Sequence, residues 1–219
     1  RSDHMALSPD GSKVAVSASI GNVVHVLDVN TGKQVGKFAS GNSPHENVYS
    51  KDGSKIYHAS IGYVFTPLDP NFLDFTKGTR IFQVVDTNSY QVIKKFNMAD
   101  KLKEVGLGNL SPAVRPMAHT PDEKFFYFQL SFLHGFVEYD MINDKVTRLA
   151  NLPNLVPNLR LDEHVNDSAH HGIAMNGAGT KLCVAGTMDD YVAMVDRETF
   201  AYTLLKDLAK KPYWVTANK

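Results

Sequence analysis

The sequence predicts an all-β fold made of four copies of one antiparallel unit, each with four short strands. Short stretches in which apolar and polar residues alternate with a period near two are typical of half-buried strands. Asp-Gly and Thr-Gly pairs, which tolerate the positive φ of tight hairpin turns, separate these stretches. The same order of strands and turns recurs along the 219-residue chain, so the fold is repetitive.

The first repeat contains every element of the unit. The turn Ser-Pro-Asp-Gly-Ser-Lys, at 8–13, leads into an alternating strand at 14–18. A Gly-Asn pair then turns the chain into a third strand at 23–28, and a Thr-Gly pair turns it into a fourth at 34–38. The residues before the first turn supply the innermost strand.

The unit returns three times, with first turns at 50–55, 120–124 and 176–181. The third strand of every repeat ends in an aspartate, and these residues are Asp28, Asp86, Asp140 and Asp196. Their spacings are 58, 54 and 56 residues. A minimal repeat of this kind needs only about 40–45 residues, so we expect loops to be inserted between strands.

Four-stranded antiparallel units without helices between them predict the blades of a β-propeller. We expect the whole chain, 1–219, to be one propeller domain or a part of one. The predicted blades are approximately 1–40, 41–99, 112–151 and 168–208, with the inner strand of a further blade at 209–219.

The repeat resembles that of the YVTN β-propeller family over nearly the whole chain. The resemblance lies in Ser-Pro-Asp-Gly-Ser-Lys followed by Val-Leu-Asp-Val-Asn-Thr-Gly-Lys. The WD40 repeat is the rival interpretation, but its Gly-His and Trp-Asp signature is absent and the only tryptophan is Trp214. The resemblance implies a ring of about seven blades, so that the remaining blades lie outside this chain. The alternative is a small ring closed by four blades and one strand.

Composition excludes several classes of function. Lys+Arg and Asp+Glu both number 23, so the formal net charge is zero and no long-range field favours nucleic acid or an anionic membrane. No apolar run approaches the roughly 20 residues that a membrane-spanning helix needs. The only cysteine, Cys183, cannot form a disulfide within the chain and lies in an apolar run that predicts burial.

The long loops are predicted to share one face. In a blade, the connection from the second strand to the third and the connection to the next blade lie on the same side. The insertions at 62–79, 98–114 and 151–169 are all of these two kinds, whereas the opposite side carries only tight turns. Because function on rigid scaffolds concentrates on elaborated loops, we expect a site on this loop-bearing face. Neutral variation of loop length is the alternative.

Polar residues also gather where the inner strands begin, in the pairs Asp3-His4, His45-Glu46, Arg115-Pro116 and His170-His171. Imidazoles and carboxylates that converge on a channel mouth could bind a divalent metal or form an acid–base pair. The candidate metal ligands are Asp3, His45 and His171, and the candidate catalytic residues are His45, Glu46, His170 and His171. The alternative is that these side chains line a water-filled channel, where Arg115 would repel a metal.

The resemblance implies two kinds of function. YVTN propellers occur widely as exported bacterial and archaeal proteins, which implies a non-catalytic binding or scaffold module outside the cytoplasm, with a protein or small molecule as partner. Related propellers include lactonase-like hydrolases, streptogramin-lyase-like proteins, and the propeller subunits of quinoprotein amine dehydrogenases and nitrous oxide reductase. These relatives imply instead an enzyme that uses the histidine and glutamate candidates, or a subunit that supports a catalytic partner chain.

Overall fold

A computed structural model describes residues 1–63 and 76–217 and contains four antiparallel sheets of four strands each. The first sheet comprises β1 (Ser2–Leu7), β2 (Lys13–Ala18), β3 (Val23–Asp28) and β4 (Gln34–Ala39). The second comprises β5 (Pro44–Tyr49), β6 (Lys55–Ser60), β7 (Ile81–Asp86) and β8 (Val92–Asn97). The third comprises β9 (Val114–His119), β10 (Phe125–Leu130), β11 (Gly135–Asp140) and β12 (Lys145–Asn151). The fourth comprises β13 (Ile173–Met175), β14 (Lys181–Gly186), β15 (Tyr191–Asp196) and β16 (Tyr202–Lys206).

The strands of every sheet pair in the order of the sequence. The predicted all-β class and the four-stranded antiparallel units are therefore confirmed, and this architecture is consistent with a fold built from blades. The number of blades, the closure of a ring and the blade boundaries stay predictions.

The chain divides into two compact units. The first unit comprises Arg1–Lys101 with Pro112–Val114, and the second comprises Leu102–Ser111 with Arg115–Lys219. The first and second sheets lie in the first unit, and the fourth sheet lies in the second unit together with all of the third sheet except Val114.

The aspartates that end the third strands shape the turns that follow them. The Asp28 carboxylate accepts hydrogen bonds from the backbone N–H and the hydroxyl of Thr31, both at 2.7 Å. Asp86 accepts the same two bonds from Ser89, both at 2.8 Å. Asp196 repeats the arrangement with Thr199, and Asp140 accepts the backbone N–H of Asn143 at 2.9 Å. A side chain that bonds its own backbone two or three residues ahead stabilises a tight turn, which explains the repetition.

Each unit has an apolar core between its sheets. In the first unit, Val24 and Val26 of β3 are fully buried, and they cluster with Ile56 and Val85 of the second sheet. In the second unit, the cluster comprises Ala118, Tyr127, Phe136, Ala150, Leu152, Ile173, Leu182, Val184, Tyr191, Ala193 and Val195. Alternate residues of each strand point into these clusters, as the period of two in the sequence requires.

Two of the three insertions are described in full. The segment 98–114 contains a short helix, α1 (Met98–Glu104), although the sequence predicts no helix between blades. Its buried residues Met98 and Leu102 are four positions apart and therefore share one helix face. The segment 151–169 contains one turn of 3₁₀ helix at Leu161–Glu163.

In the insertion at 62–79, residues 64–75 lie outside the described residues, with the prolines and aromatic side chains Phe65, Pro67, Pro70, Phe72 and Phe75. Toward the end of the chain, the described residues 207–217 form no strand, and residues 213–215 lie against Gly172. Among the described residues, no helix has the length and apolar character needed to cross a membrane.

Candidate functional site

The structure brings several of the predicted residues together in the first unit. His4 Nδ1 lies 2.6 Å from Glu46 Oε2, and His4 Nε2 lies 3.8 Å from Asp3 Oδ1. The rings of His4 and His45 are 3.8 Å apart between centroids. The side chains of His4 and Glu46 are 14% and 11% exposed, so this histidine–carboxylate pair remains in reach of solvent.

A second cluster, in the second unit, consists of His134, His170 and Asp189. His134 directly precedes β11, His170 lies shortly before β13, and Asp189 lies in the turn between β14 and β15. His134 and Asp189 thus occupy the connections from the second strand to the third in two consecutive sheets. We call these three residues the His–Asp–His cluster.

One carboxylate oxygen organises the His–Asp–His cluster. Asp189 Oδ2 lies 2.7 Å from His134 Nδ1 and 2.9 Å from His170 Nε2. Because an ionised carboxylate only accepts hydrogen bonds, both facing nitrogens carry the proton. The other oxygen, Oδ1, accepts the backbone N–H of Leu155 at 2.7 Å. The carboxylate is therefore bonded on both oxygens and fixed in orientation.

Burial and hydrogen bonding oppose each other in setting the charges of this cluster. Burial pushes the pKa of Asp189 upward, but the hydrogen bonds from His134 and His170 outweigh it and lower the pKa to about 2. Burial lowers the pKa of His170, whose side chain has no exposed surface, and the bond to Asp189 only partly offsets this effect. At neutral pH the cluster thus holds an anionic Asp189 beside a neutral His170.

His170 has a further contact, to Tyr191, and one ring nitrogen for which the described residues supply no hydrogen bond. The hydroxyl of Tyr191 donates to the carbonyl of Pro153 at 2.8 Å, and its oxygen lies 3.1 Å from His170 Nε2. Among the residues that the structure describes, no hydrogen-bond partner faces the buried His170 Nδ1. A buried nitrogen without a partner costs about 1–3 kcal/mol, so hydrogen bonding alone does not satisfy this cluster.

Two glycines hold the backbone on either side of the cluster. Gly135, next to His134, has φ +144°, and a Cβ there would lie 1.9 Å from the carbonyl oxygen of Ala150. A Cβ on Gly186, at the end of β14, would lie 2.6 Å from the ring of Tyr191. Any side chain at these positions would displace the connections that carry the histidine and the aspartate.

The predicted site residues of the second unit have separate contacts. His171 is 1% exposed and stacks on Tyr213, with 3.8 Å between ring centroids. Arg115 Nε donates to the Ser131 hydroxyl at 2.9 Å, and its guanidinium lies 3.6 Å from Asp167. The predicted metal set of Asp3, His45 and His171 draws on both units and stays a prediction.

Sequence reasoning missed two of the three residues of the His–Asp–His cluster. It placed His170 among the candidates but included neither His134 nor Asp189. The available signal was positional, because both missed residues lie in second-to-third connections, which the sequence assigns to the loop-bearing face. Two imidazoles and one carboxylate at these distances are a donor set that could hold a metal ion.

Comparison with known proteins assigns the chain to no family. No protein-family model matches it, and no curated protein matches it either.

Proposed function

We propose that the protein is a non-catalytic binding or scaffold module of the YVTN propeller type, which holds a protein or small-molecule partner with the loop-bearing face. The same proposal places it outside the cytoplasm, as the resemblance of its repeat to exported propellers implies. The observation that carries the proposal is a difference between the tight turns after the third strands and the loop-bearing connections of the second unit.

At one end, the turns satisfy their own polar groups. Asp28, Asp86 and Asp196 each bond the backbone and hydroxyl of a residue three positions ahead, which leaves little for a partner to bind. The loop-bearing connections of the second unit instead hold buried polar side chains from distant parts of the chain. Exposed apolar side chains occur at both ends, but here they lie on a long insertion. Leu155 and Leu161, in the insertion 151–169, are 47% and 39% exposed. Apolar side chains on a rigid, elaborated connection are typical of binding surfaces.

The test compares the two ends with matched substitutions. Leu155→Ser combined with Leu161→Ser removes apolar contact from the loop-bearing face, whereas Ile142→Ser removes it from the turn between β11 and β12, where Ile142 is 71% exposed. A panel of saccharides, carboxylates and lactones is screened by thermal shift, and proteins captured by the chain are purified and titrated by calorimetry. We expect the double variant to bind at least about tenfold more weakly, which is about 1.4 kcal/mol, and Ile142→Ser to bind as the wild type does.

An effect of Ile142→Ser with none of the double variant would place binding at the opposite end and contradict the proposal. Failure of every ligand and captured protein to show saturable binding would contradict it as well.

A hydrolase or lyase is the second candidate function, and the His4–Glu46 pair favours it. A carboxylate at 2.6 Å from one imidazole nitrogen orients the ring, so that the other nitrogen can act as a general base. Turnover of a panel of lactones and esters by the wild type, with at least about a hundredfold loss in Glu46→Gln, is the expected result for an enzyme. Turnover that is equal in both proteins would exclude this pair.

A further inference from the structure

The His–Asp–His cluster has the composition and the geometry of a metal site. One potential ligand atom from each of His134, His170 and Asp189 lies within 4.8 Å of the others. A metal ion about 2.0–2.2 Å from two imidazole nitrogens and one carboxylate oxygen requires such a triangle of donors. The present distances of 2.7 and 2.9 Å from the nitrogens to Asp189 Oδ2 need only a small expansion to admit an ion.

The surroundings of Asp189 suit a cation. Its side chain has no exposed surface with which to be hydrated, and Oδ2 faces both histidine rings. Within the described residues, no lysine or arginine forms an ion pair with this carboxylate, and the side chains that bond Oδ2 are both imidazoles. A divalent cation bound at Oδ2 would supply the metal–carboxylate contact that no described lysine or arginine supplies as an ion pair.

Residues around the three donors would hold them in place. The backbone N–H of Leu155 bonds the second oxygen of Asp189, and Gly135 allows the close backbone approach to Ala150 next to His134. Outer contacts of this kind orient metal ligands and are an ordinary part of metal sites. They also leave Oδ2 of Asp189 directed at the two histidines.

An ion can reach the cluster from solvent. The side chain of His134 is 14% exposed, while the other two members have none. A cavity of about 390 Å³ lies against the backbone of Asp189, and its lining also comprises Asp190, Lys206, Asp207, Ala209 and Lys210. Three protein ligands leave at least one coordination position for water or a ligand, as in open zinc sites.

We propose that His134, His170 and Asp189 bind a divalent transition metal ion of the zinc class. Two imidazoles with one carboxylate favour zinc, cobalt or ferrous iron over magnesium and calcium, which prefer oxygen ligands. On binding, the proton on His134 moves from Nδ1 to Nε2, and the proton on His170 moves from Nε2 to Nδ1. The ion then occupies the place of the two protons that now converge on Asp189 Oδ2.

This site goes beyond the proposed binding role, and metal binding can be measured with no partner present. The full chain is stripped with a chelator, dialysed and titrated with Co²⁺, whose visible absorption reports the coordination of nitrogen and oxygen ligands. Zn²⁺ is then added in competition, and calorimetry gives the stoichiometry. We expect one ion per chain, displacement of Co²⁺ by Zn²⁺, and a rise in the melting temperature with metal.

The variants locate the ion. His134→Gln, at the accessible edge of the cluster, should weaken Co²⁺ binding by more than about a hundredfold, since even an outer contact is worth ten- to a hundredfold. His25→Gln is the matched control, because it removes a partly exposed imidazole of β3 that bonds Gln34 and faces no metal cluster. His45→Gln tests the rival set predicted from the sequence. Both of these variants should keep wild-type affinity.

Three results would overturn the proposal. The first is a folded wild-type chain that binds no stoichiometric Co²⁺ or Zn²⁺. The second is wild-type affinity in a folded His134→Gln. The third is loss of binding in His45→Gln with retention in His134→Gln, which would place the ion elsewhere. If circular dichroism shows that His134→Gln does not fold, wild-type crystals grown with Zn²⁺ are used instead, and the anomalous scattering of the ion is measured. A peak beside Asp189 supports the site, and the absence of a peak there refutes it.

Discussion

Asp10 and Asp189 have the same low pKa of about 2 but reach it by opposite routes. Asp10 is exposed in the first turn, where the Ser8 hydroxyl at 2.6 Å and the Ser12 backbone N–H at 3.0 Å bond its carboxylate. Asp189 is buried, which by itself raises the pKa, and the hydrogen bonds of two histidines overcome that effect. The same pKa therefore describes a carboxylate in water and a carboxylate in a polar interior.

The two carboxylates differ in where their hydrogen-bond partners lie in the chain. The partners of Asp10 lie two residues away in the sequence, on either side of it in the same turn. The partners of Asp189 lie 55 and 19 residues away; the side chain of His170 has no exposed surface, and that of His134 is 14% exposed. Local bonds of the first kind define a turn, whereas bonds of the second kind tie separate strand connections together. Replacement of Asp189 should consequently lower the free energy of unfolding by more than replacement of Asp10, although the two pKa values are the same.

The largest effect expected is that of Asp189→Asn. Asparagine has one acceptor oxygen where Asp189 has two, so its amide N–H would face either the imidazole N–H groups or the Leu155 backbone N–H. A buried donor then loses its acceptor, and the free energy of unfolding falls by about 3 kcal/mol. Urea unfolding followed by circular dichroism at neutral pH measures it. Asp10→Asn is the control, and its loss should be clearly smaller. Equal losses in the two variants would show that burial does not distinguish these aspartates.

A second test concerns His58, a buried group of the first unit with partners from other strands. His58 is fully buried, with Nε2 2.6 Å from the Ser40 hydroxyl and Nδ1 2.9 Å from Asn47 Oδ1. Burial lowers the pKa of His58 from 6.5 to about 3. Between pH 6.5 and about pH 3, His58 is therefore protonated in the unfolded chain but not in the folded chain. The free energy of unfolding consequently falls as the pH drops through this range.

At pH 5 this difference amounts to about 2 kcal/mol, from about 1.4 kcal/mol per pH unit. Unfolding free energies of the wild type and of His58→Gln, measured from pH 7 to pH 4, should show a shallower slope in the variant. Parallel slopes would mean that His58 does not set the acid response.

The smallest effect expected is that of the turn carboxylate on stability in acid. Because the folded pKa of Asp10 is below its usual 3.8, the stabilisation is complete above about pH 4 and is lost as pH falls toward 2. Asp10→Asn should remove this part of the acid dependence without altering the slope between pH 7 and pH 5, which chemical denaturation at closely spaced pH values can resolve. A change of slope near neutral pH instead would assign the titration to another group.

The turns and strands were predictable because their cause is local. Asp28, Asp86, Asp140 and Asp196 end β3, β7, β11 and β15, as the sequence predicts, since each bonds residues two or three positions ahead. The helix α1 was not predicted, because only Met98 and Leu102 mark its buried face and seven residues are too few for a clear helical period.

The site was only partly predictable, for the opposite reason. The sequence indicated His170, because this residue precedes an inner strand. It also indicated that a site should lie on the loop-bearing connections. It could not pair His134 with Asp189, because 55 residues separate them and only the pairing of strands in two sheets brings them to 2.7 Å. The closeness of Gly135 to Ala150, on which the position of His134 depends, likewise follows from strand register and not from local sequence.

The pairing of strands in sequence order has a consequence for how the chain is made. The fourth sheet forms from one continuous stretch, 173–206, and includes no strand from elsewhere in the chain. Short loops cost little entropy to close, and nearby contacts form quickly. A growing chain can therefore complete one sheet while the next is still being synthesised, whereas the bond between His134 and Asp189 must await both. We expect it to form late during folding, after the ladders that position it.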